Sequence, residues 1–318
     1  MTARGLLIWQ CLGHIVPVMR TILAAAALVI WPGFVPNVLA KEPPEEVIFE
    51  PSTDWLVDFA ENRCLLTRLF KSGEREFRLQ FVQYQPGDAI HLLMASEKKF
   101  GRSKFRARVG TSTDFREYES YHTLDWDSVP AAFVSLSLRP RLPDVNDENA
   151  RPIWTDRERE ELTAAMERLE VEIRGERLVV KTGSLRAPMS VMDRCTDNLV
   201  ESWGIDIAAH ANLTRRAAPV DYRDMFDKMI DAPQFRSKHA PDNLIAVVRV
   251  DLDEAGLPTG CHTYDDMSYD KLDEFVCEVL MEDTKFLPAL DSEGNPIASY
   301  YMTSFGLLRF SYSWGSSF

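Results

Sequence analysis

The sequence lacks the compact motifs that mark the common catalytic centres. Its 318 residues contain no nucleophile elbow, no phosphate-binding glycine loop, no dinucleotide-binding glycine pattern and no HExxH zinc motif. Basic residues are also scarce, because 36 Lys and Arg stand against 49 Asp and Glu, for a net charge of −13. Nucleic acids and anionic lipids are bound by clustered positive charge. We therefore expect a protein that is not an enzyme, needs no cofactor or metal, and does not bind nucleic acid.

Two local groups of residues still suggest chemistry. His262 precedes a group of aspartates and could belong to a metal or acid–base site, but a solvated acidic loop explains the same pattern and is the interpretation we favour. The basic patch from Lys98 to Arg108 is more typical of a charged edge strand that resists aggregation than of a polyanion site.

Long apolar runs are missing too. The run Ile22–Trp31 follows Arg20, ends before Pro32 and is about half of the roughly 20 residues that span a bilayer. Small residues at Val38–Ala40 resemble a signal-peptidase site. We predict a signal peptide over residues 1–40, with Met19 as an alternative start, and localisation in the periplasm or cell envelope; an uncleaved anchor is the other interpretation.

Cysteine is infrequent, and in an exported protein cysteines are expected to have a structural role. Four cysteines remain after residue 40: Cys64, Cys195, Cys261 and Cys277. An even number in an oxidising compartment predicts two disulfides, although four cysteines permit three pairings. Spacing favours Cys261 with Cys277, which leaves Cys64 with Cys195. Metal binding is the alternative, but the chain has no CxxC.

The composition, 45% apolar and 27% charged, is that of a folded globular protein. After a charged lead-in at Lys41–Glu46, six short β-like runs separated by turn residues predict an antiparallel sheet or small sandwich. Helical spacing of apolar residues predicts helices near 155–168 and 184–203, on either side of a hairpin over 171–180. We expect residues 41–205 to form a β-rich α+β domain with two helices.

The rest of the chain divides into a linker and a small module. Residues 206–235 are predicted to form a linker with a short helix over 222–230. In residues 236–318 the pattern predicts strand, strand, helix and strand, with strands over 244–252, 257–264 and 298–312 and a helix from Ser268 to about Met281. This module is acidic, since from Asp242 onward 14 acidic and four basic residues give a balance of −10.

This module resembles the C-terminal domain of TonB, the energy transducer of bacterial outer-membrane import. The resemblance rests on the strand Val247–Asp253, the turn ending at Gly256, the helix opening at Leu272 and the segment Phe286–Pro296. Cys261 and Cys277 stand where a secreted, disulfide-bearing branch of the family carries a cysteine pair. The run Asp193–Leu199, followed by Trp203 and Gly204, is similar to the partner domain of that branch.

The resemblance implies a protein-binding module that recognises its partner by strand addition. In TonB-like domains an exposed strand edge pairs with an extended peptide of an outer-membrane receptor. The candidate edge runs over the last strand, and its residues are Tyr300, Tyr301, Met302, Thr303, Phe305, Leu307 and Arg309. The competing interpretations are that these side chains pack in the core, that the strand forms a homodimer, or that the protein is a secreted hydrolase.

Overall fold

The computed structural model describes residues 43–87, 89–96, 105–110, 114–118, 122–126, 129–137, 156–173, 175–210, 212–230, 244–264 and 270–307. The predicted signal peptide over 1–40 lies outside them, as do Ser268 and Arg309. Within these residues the protein is a mixed α+β structure dominated by strands, which confirms the predicted fold class at that level.

The N-terminal half contributes eleven strands to one sheet, here called the large sheet. Its strand order is β7-β6-β10-β11-β1-β3-β4-β5-β9-β8, with β2 paired to β3. The strands are β1 (Glu45–Pro51), β2 (Leu56–Phe59), β3 (Cys64–Ser72), β4 (Arg75–Gln83), β5 (Ala89–Ser96), β6 (Phe105–Val109), β7 (Arg116–Tyr118), β8 (His122–Trp126), β9 (Val129–Ser137), β10 (Leu169–Ile173) and β11 (Glu176–Val180). Nearly all pairs are antiparallel, as predicted.

One face of the large sheet is apolar because every second residue of its strands is apolar. Against this face packs helix α2 (Arg186–Ser202), which buries Met189, Met192 and Leu199, and the shorter helix α1 (Asp156–Ala165) precedes β10. Full burial of one such side chain contributes about 1.5–3 kcal/mol. Both helices lie close to their predicted positions.

Strand β1 differs from the expectation. The sequence predicts a charged lead-in up to Glu46, but Glu45–Pro51 is a strand inside the large sheet, parallel to β11. Its charged residues stay exposed, Glu46 accepts from Arg177 at 3.1 Å, and Phe49 is buried. Its partner strand β11 lies about 130 positions further along the chain, so no local sequence pattern predicts β1.

The C-terminal half forms a three-stranded antiparallel sheet, here called the small sheet, in the order β14-β13-β18. Short two-stranded pairs, β12 with β15 and β16 with β17, lie beside it. The elements are α3 (Ile207–His210), β12 (Ala218–Pro219), α4 (Tyr222–Ile230), β13 (Leu244–Leu252), β14 (Pro258–Tyr264), α5 (Asp270–Glu278), β15 (Phe286–Leu287), β16 (Ala289–Leu290), β17 (Pro296–Ile297) and β18 (Ser299–Leu307).

Helix α5 ends earlier than predicted. After Glu278 the chain continues as one π-helical turn, Val279–Asp283. The hydroxyl of the buried Thr284 donates to the Val279 carbonyl at 2.8 Å and so satisfies a group that the widened turn leaves open. Helical periodicity alone does not distinguish this turn from a continuing α-helix.

Both disulfides favoured by the spacing are present. Cys64 bonds Cys195 across 131 positions, and Cys261 bonds Cys277 across 16 positions. In the chain-entropy treatment, the longer loop stabilises the fold by about 5 kcal/mol and the shorter one by about 3 kcal/mol. The first bond fixes α2 to β3, and the second fixes α5 to β14.

Candidate functional site

The small sheet is covered on both faces. On one face Val248, Val250 and Leu252 of β13 pack with Val276 of α5 and with Met225 of α4. Residues of β13 alternate in direction, so its other side chains point the opposite way.

That opposite face lies against the large sheet. Val247, Tyr264 and Met302 of the small sheet share a buried cluster with Val82 of β4 and with Tyr84, which directly follows β4. With both faces covered, the small sheet can offer a partner only its two edges.

The two edges differ in how they resist pairing. β14 has seven residues, begins with Pro258, carries His262 and lies beside a register shift at Asp251 and Leu252. Proline, an ionisable side chain and an irregularity are features with which proteins protect strand edges.

β18 has none of these features. It is nine residues long, pairs with β13 without a register shift, and contains no proline and no charged side chain. Among the described parts of the chain, no strand pairs with its outer side. The described part of β18 therefore lacks the features that protect the β14 edge.

Six of the seven predicted site residues, Tyr300 to Leu307, lie along this strand, and three of their side chains face inward. Tyr301, Met302 and Thr303 are buried, with Tyr301 against Phe286 at 5.4 Å between ring centroids. Phe305 and Leu307 pair with Ala246 and Leu244 through their backbones, whereas Arg309 lies outside the described residues. Tyr301, Met302 and Thr303 therefore present almost no surface to solvent.

Tyr300 occupies the junction between the two sheets. Its ring meets the edge of Trp203, just after α2, at 5.1 Å between centroids. Burial raises the pKa of Tyr300 to about 12. The phenol therefore stays neutral at physiological pH and acts here as a packing group.

Arg249 of β13 links Trp203, through Asp251, to the β14 edge of the small sheet. Its guanidinium lies 4.2 Å from the centre of the Trp203 ring, and its Nη2 donates to Asp251 at 3.2 Å. Asp251 also contacts Nε2 of His262, at 2.8 Å. Burial raises the pKa of the nearby Tyr264 to about 12. The sequence pointed to His262 but paired it with aspartates further along the chain, and Trp203 and Arg249 were not predicted as partners.

The part of the basic patch that is described is neutralised by ion pairs. Arg106 bonds Glu172 at 2.8 Å, Arg177 bonds the same carboxylate at 2.9 Å, and Arg108 bonds Glu170 at 2.7 Å. These side chains belong to neighbouring strands and alternate in sign, and Glu170 is buried, so they form a cross-strand network and not an uncompensated positive surface.

The described residues contain no group of three or more His, Cys, Asp or Glu side chains placed to hold a metal ion. In the same part of the chain, no helix is both long enough and apolar enough to cross a bilayer. The two disulfides indicate an oxidising compartment outside the cytoplasm.

Comparison with known proteins gives no family. The chain matches no protein-family model, no curated protein and no solved structure.

Proposed function

We propose that this is an exported envelope protein whose C-terminal module binds an extended segment of a protein partner by adding it as a strand to the outer edge of β18. The observation that carries the proposal is the contrast between the edges: β14 has protective features, and the uncharged described part of β18 has none. Main-chain hydrogen bonds then supply affinity, as in other cases of strand addition.

The strand order and the sequence resemblance favour a TonB C-terminal-like role. Strand β13 is central, β14 and β18 flank it, and α5 lies between β14 and β18 in the chain. We propose a TonB-dependent outer-membrane receptor as the partner. The chain has no Pro-rich spacer of the kind that lets TonB cross the periplasm, and the large sheet precedes the module instead. The proposed role is therefore binding, with energy transduction as a further step that requires a membrane anchor.

Site-specific crosslinking tests the proposal in the native envelope. A photoreactive amino acid replaces Ser304 on β18 in one variant and Thr263 on β14 in a matched control, since both side chains are half-buried on edge strands. We expect the β18 variant to crosslink to an extended segment of a membrane receptor and the β14 control not to do so. Circular dichroism verifies that both variants fold.

Other products would contradict the proposal in identifiable ways. Crosslinks only between two copies of the chain would favour a structural envelope protein that dimerises through its last strand. Equal crosslinking from both edges would remove the distinction on which the proposal rests. Turnover of ester, peptide or glycoside substrates by the purified chain, without any β18 adduct, would favour a secreted hydrolase.

The N-terminal residue of the protein recovered from its envelope separates binding from force transmission. A chain starting at Lys41 has lost the apolar segment and cannot pull through it. An intact N terminus would restore the possibility of coupling to a membrane motor.

A further inference from the structure

The two disulfides differ in how deeply their cysteines are buried. Cys64 and Cys195 are 0% and 1% exposed and belong to the core between the large sheet and α2. Cys261 and Cys277 are only partly buried and pack against the core of the small sheet. Thiol–disulfide exchange requires a thiolate to reach one sulfur atom of the bond. Of the two bonds, only Cys261–Cys277 joins residues that keep some of their surface open to solvent.

The elements that the two bonds join differ in the same direction. Cys64 lies on β3, which pairs with β4 on one side and with β1 and β2 on the other. Cys261 lies on β14, which among the described residues pairs only with β13, and Cys277 lies in the last turn of α5. Local opening at an edge strand and a helix end costs less free energy than opening in the middle of a large sheet. Fluctuations of the folded protein therefore expose the second bond more readily than the first.

Helix α5 has other anchors that remain when its disulfide opens. Val276 is 0% exposed and lies in the core of the small sheet, with Phe275 packed against the same cluster. In the π-helical turn that follows, Val279 and Leu280 are 3% and 0% exposed. These apolar contacts stabilise the module independently of the disulfide. Opening the bond should therefore loosen α5 from β14 without unfolding the module.

Loop length predicts which bond is reduced first at equilibrium. A disulfide that stabilises the folded state is itself stabilised by folding to the same extent, because the two equilibria are linked. In the chain-entropy treatment this stabilisation increases with the length of the closed loop, and the two pairs are separated by 131 and 16 positions. The ratio of these lengths to the power 3/2 corresponds to about a 20-fold difference between the equilibrium constants for reduction.

We propose that Cys261–Cys277 is a redox-sensitive bond, which a dithiol opens and re-forms in the folded protein and which controls how firmly α5 is held on β14. The reductant is a molecule with two neighbouring thiols, for example a thiol–disulfide oxidoreductase with a CxxC dithiol. The proposal holds whether or not β18 binds a partner.

The exchange is balanced between the dithiol and the cysteine pair. One thiolate of the dithiol attacks a sulfur atom of the bond and displaces the other cysteine as a thiolate, and its second thiol then resolves the mixed disulfide. Two electrons pass to the cysteine pair, and the dithiol becomes a disulfide. The two protons of the dithiol end on Cys261 and Cys277.

Equilibration with dithiothreitol tests the order of reduction. The purified, oxidised chain is incubated without denaturant in mixtures of reduced and oxidised dithiothreitol, free thiols are alkylated, and each cysteine pair is quantified by peptide mass spectrometry. We expect Cys261–Cys277 to be reduced at a ratio of reduced to oxidised dithiothreitol about 20-fold lower than Cys64–Cys195. Reduction of both pairs at one ratio, or of Cys64–Cys195 first, would overturn the proposal.

Amide hydrogen exchange of the selectively reduced chain locates the consequence. Amides of α5 and of the Cys261–Tyr264 part of β14 should exchange up to about 100-fold faster, while those of β3 and α2 change by less than about twofold. Oxidised dithiothreitol in excess should restore the slow exchange. Unchanged exchange of α5, or loss of the whole fold measured by circular dichroism, would show that the bond is not a local switch.

Two double variants separate the contributions of the bonds. Cys261→Ala with Cys277→Ala fixes the open state, so its exchange should match that of the selectively reduced wild type and should not respond to dithiothreitol. Cys64→Ala with Cys195→Ala is the matched control and should keep the response of α5. If this control does not fold, the wild-type titration decides alone, because it reports each pair separately. A response of α5 that persists without Cys261 and Cys277 would contradict the proposal.

Discussion

His91 should make the stability of this protein sensitive to mild acid. It lies on β5, is 5% exposed, and its ring meets the Tyr84 ring edge-on at 5.6 Å. Tyr84 in turn stacks on Tyr264 of the small sheet at 6.4 Å, so the imidazole lies next to the junction between the two sheets. Burial lowers the pKa of His91 from 6.5 to about 4.

The sign and size of the effect follow from linkage. The unfolded chain binds a proton near pH 6.5, whereas the folded chain binds it only near pH 4, so stability is complete above pH 6.5 and falls as the pH decreases toward 4. The difference corresponds to about 3 kcal/mol in total, of which about 1 kcal/mol is lost by pH 5.5 and about 2.5 kcal/mol by pH 4.5.

Urea unfolding from pH 7.5 to 4.0 measures the effect. The free energy of unfolding of His91→Gln should be lower than that of the wild type at pH 7.5 but should fall less steeply, by about 2.5 kcal/mol, between pH 7.5 and 4.5. Tyr84→Phe is the matched control, because it alters packing at the same place without adding or removing a group that titrates in this range. Parallel curves for the wild type and His91→Gln would refute the argument.

Two other substitutions probe the small sheet through urea unfolding. Gly256 has φ of 80°, and a Cβ there would lie 2.8 Å from the Phe286 carbonyl oxygen, so Gly256→Ala should lower the free energy of unfolding by about 2–4 kcal/mol. Gly294 has φ of 84° but open space around it, so Gly294→Ala should lower it by only about 1 kcal/mol. Equal losses would show that the close approach at Gly256 does not matter. Arg249→Met removes the guanidinium stacked on Trp203 and its ion pair with Asp251. It should therefore lower the free energy of unfolding by about 2 kcal/mol and change the fluorescence of Trp203. A loss below about 0.5 kcal/mol would show that this contact contributes little to stability.

Much of the architecture could be predicted because its signals are local. Apolar residues at every second position, with glycine turns between them, indicated β3, β4 and β13 close to their observed bounds. Helical spacing did the same for α2 and α4, and the cysteine spacing favoured the pairing that is present. Each of these signals is carried by residues close together in the chain or by a small number of possible pairs.

The candidate site was only partly predictable because it depends on distant contacts. The sequence indicated the last strand as a possible edge, and Tyr300 and Tyr301 as its aromatic residues. It could not show that Tyr300 packs against Trp203, almost 100 positions earlier, or that His210 reaches across to Ser299. Nothing in the spacing of these residues relates them, since the contacts arise only when the large and small sheets pack together.

The covering of both faces of the small sheet limits how the C-terminal module can recognise a partner. Met302 faces the large sheet and Tyr301 faces the helices, so neither side chain is available to select a ligand sequence. Strand addition of the kind we propose would therefore select a segment through its extension and the cost of burying charge, and not through a pocket for one side chain.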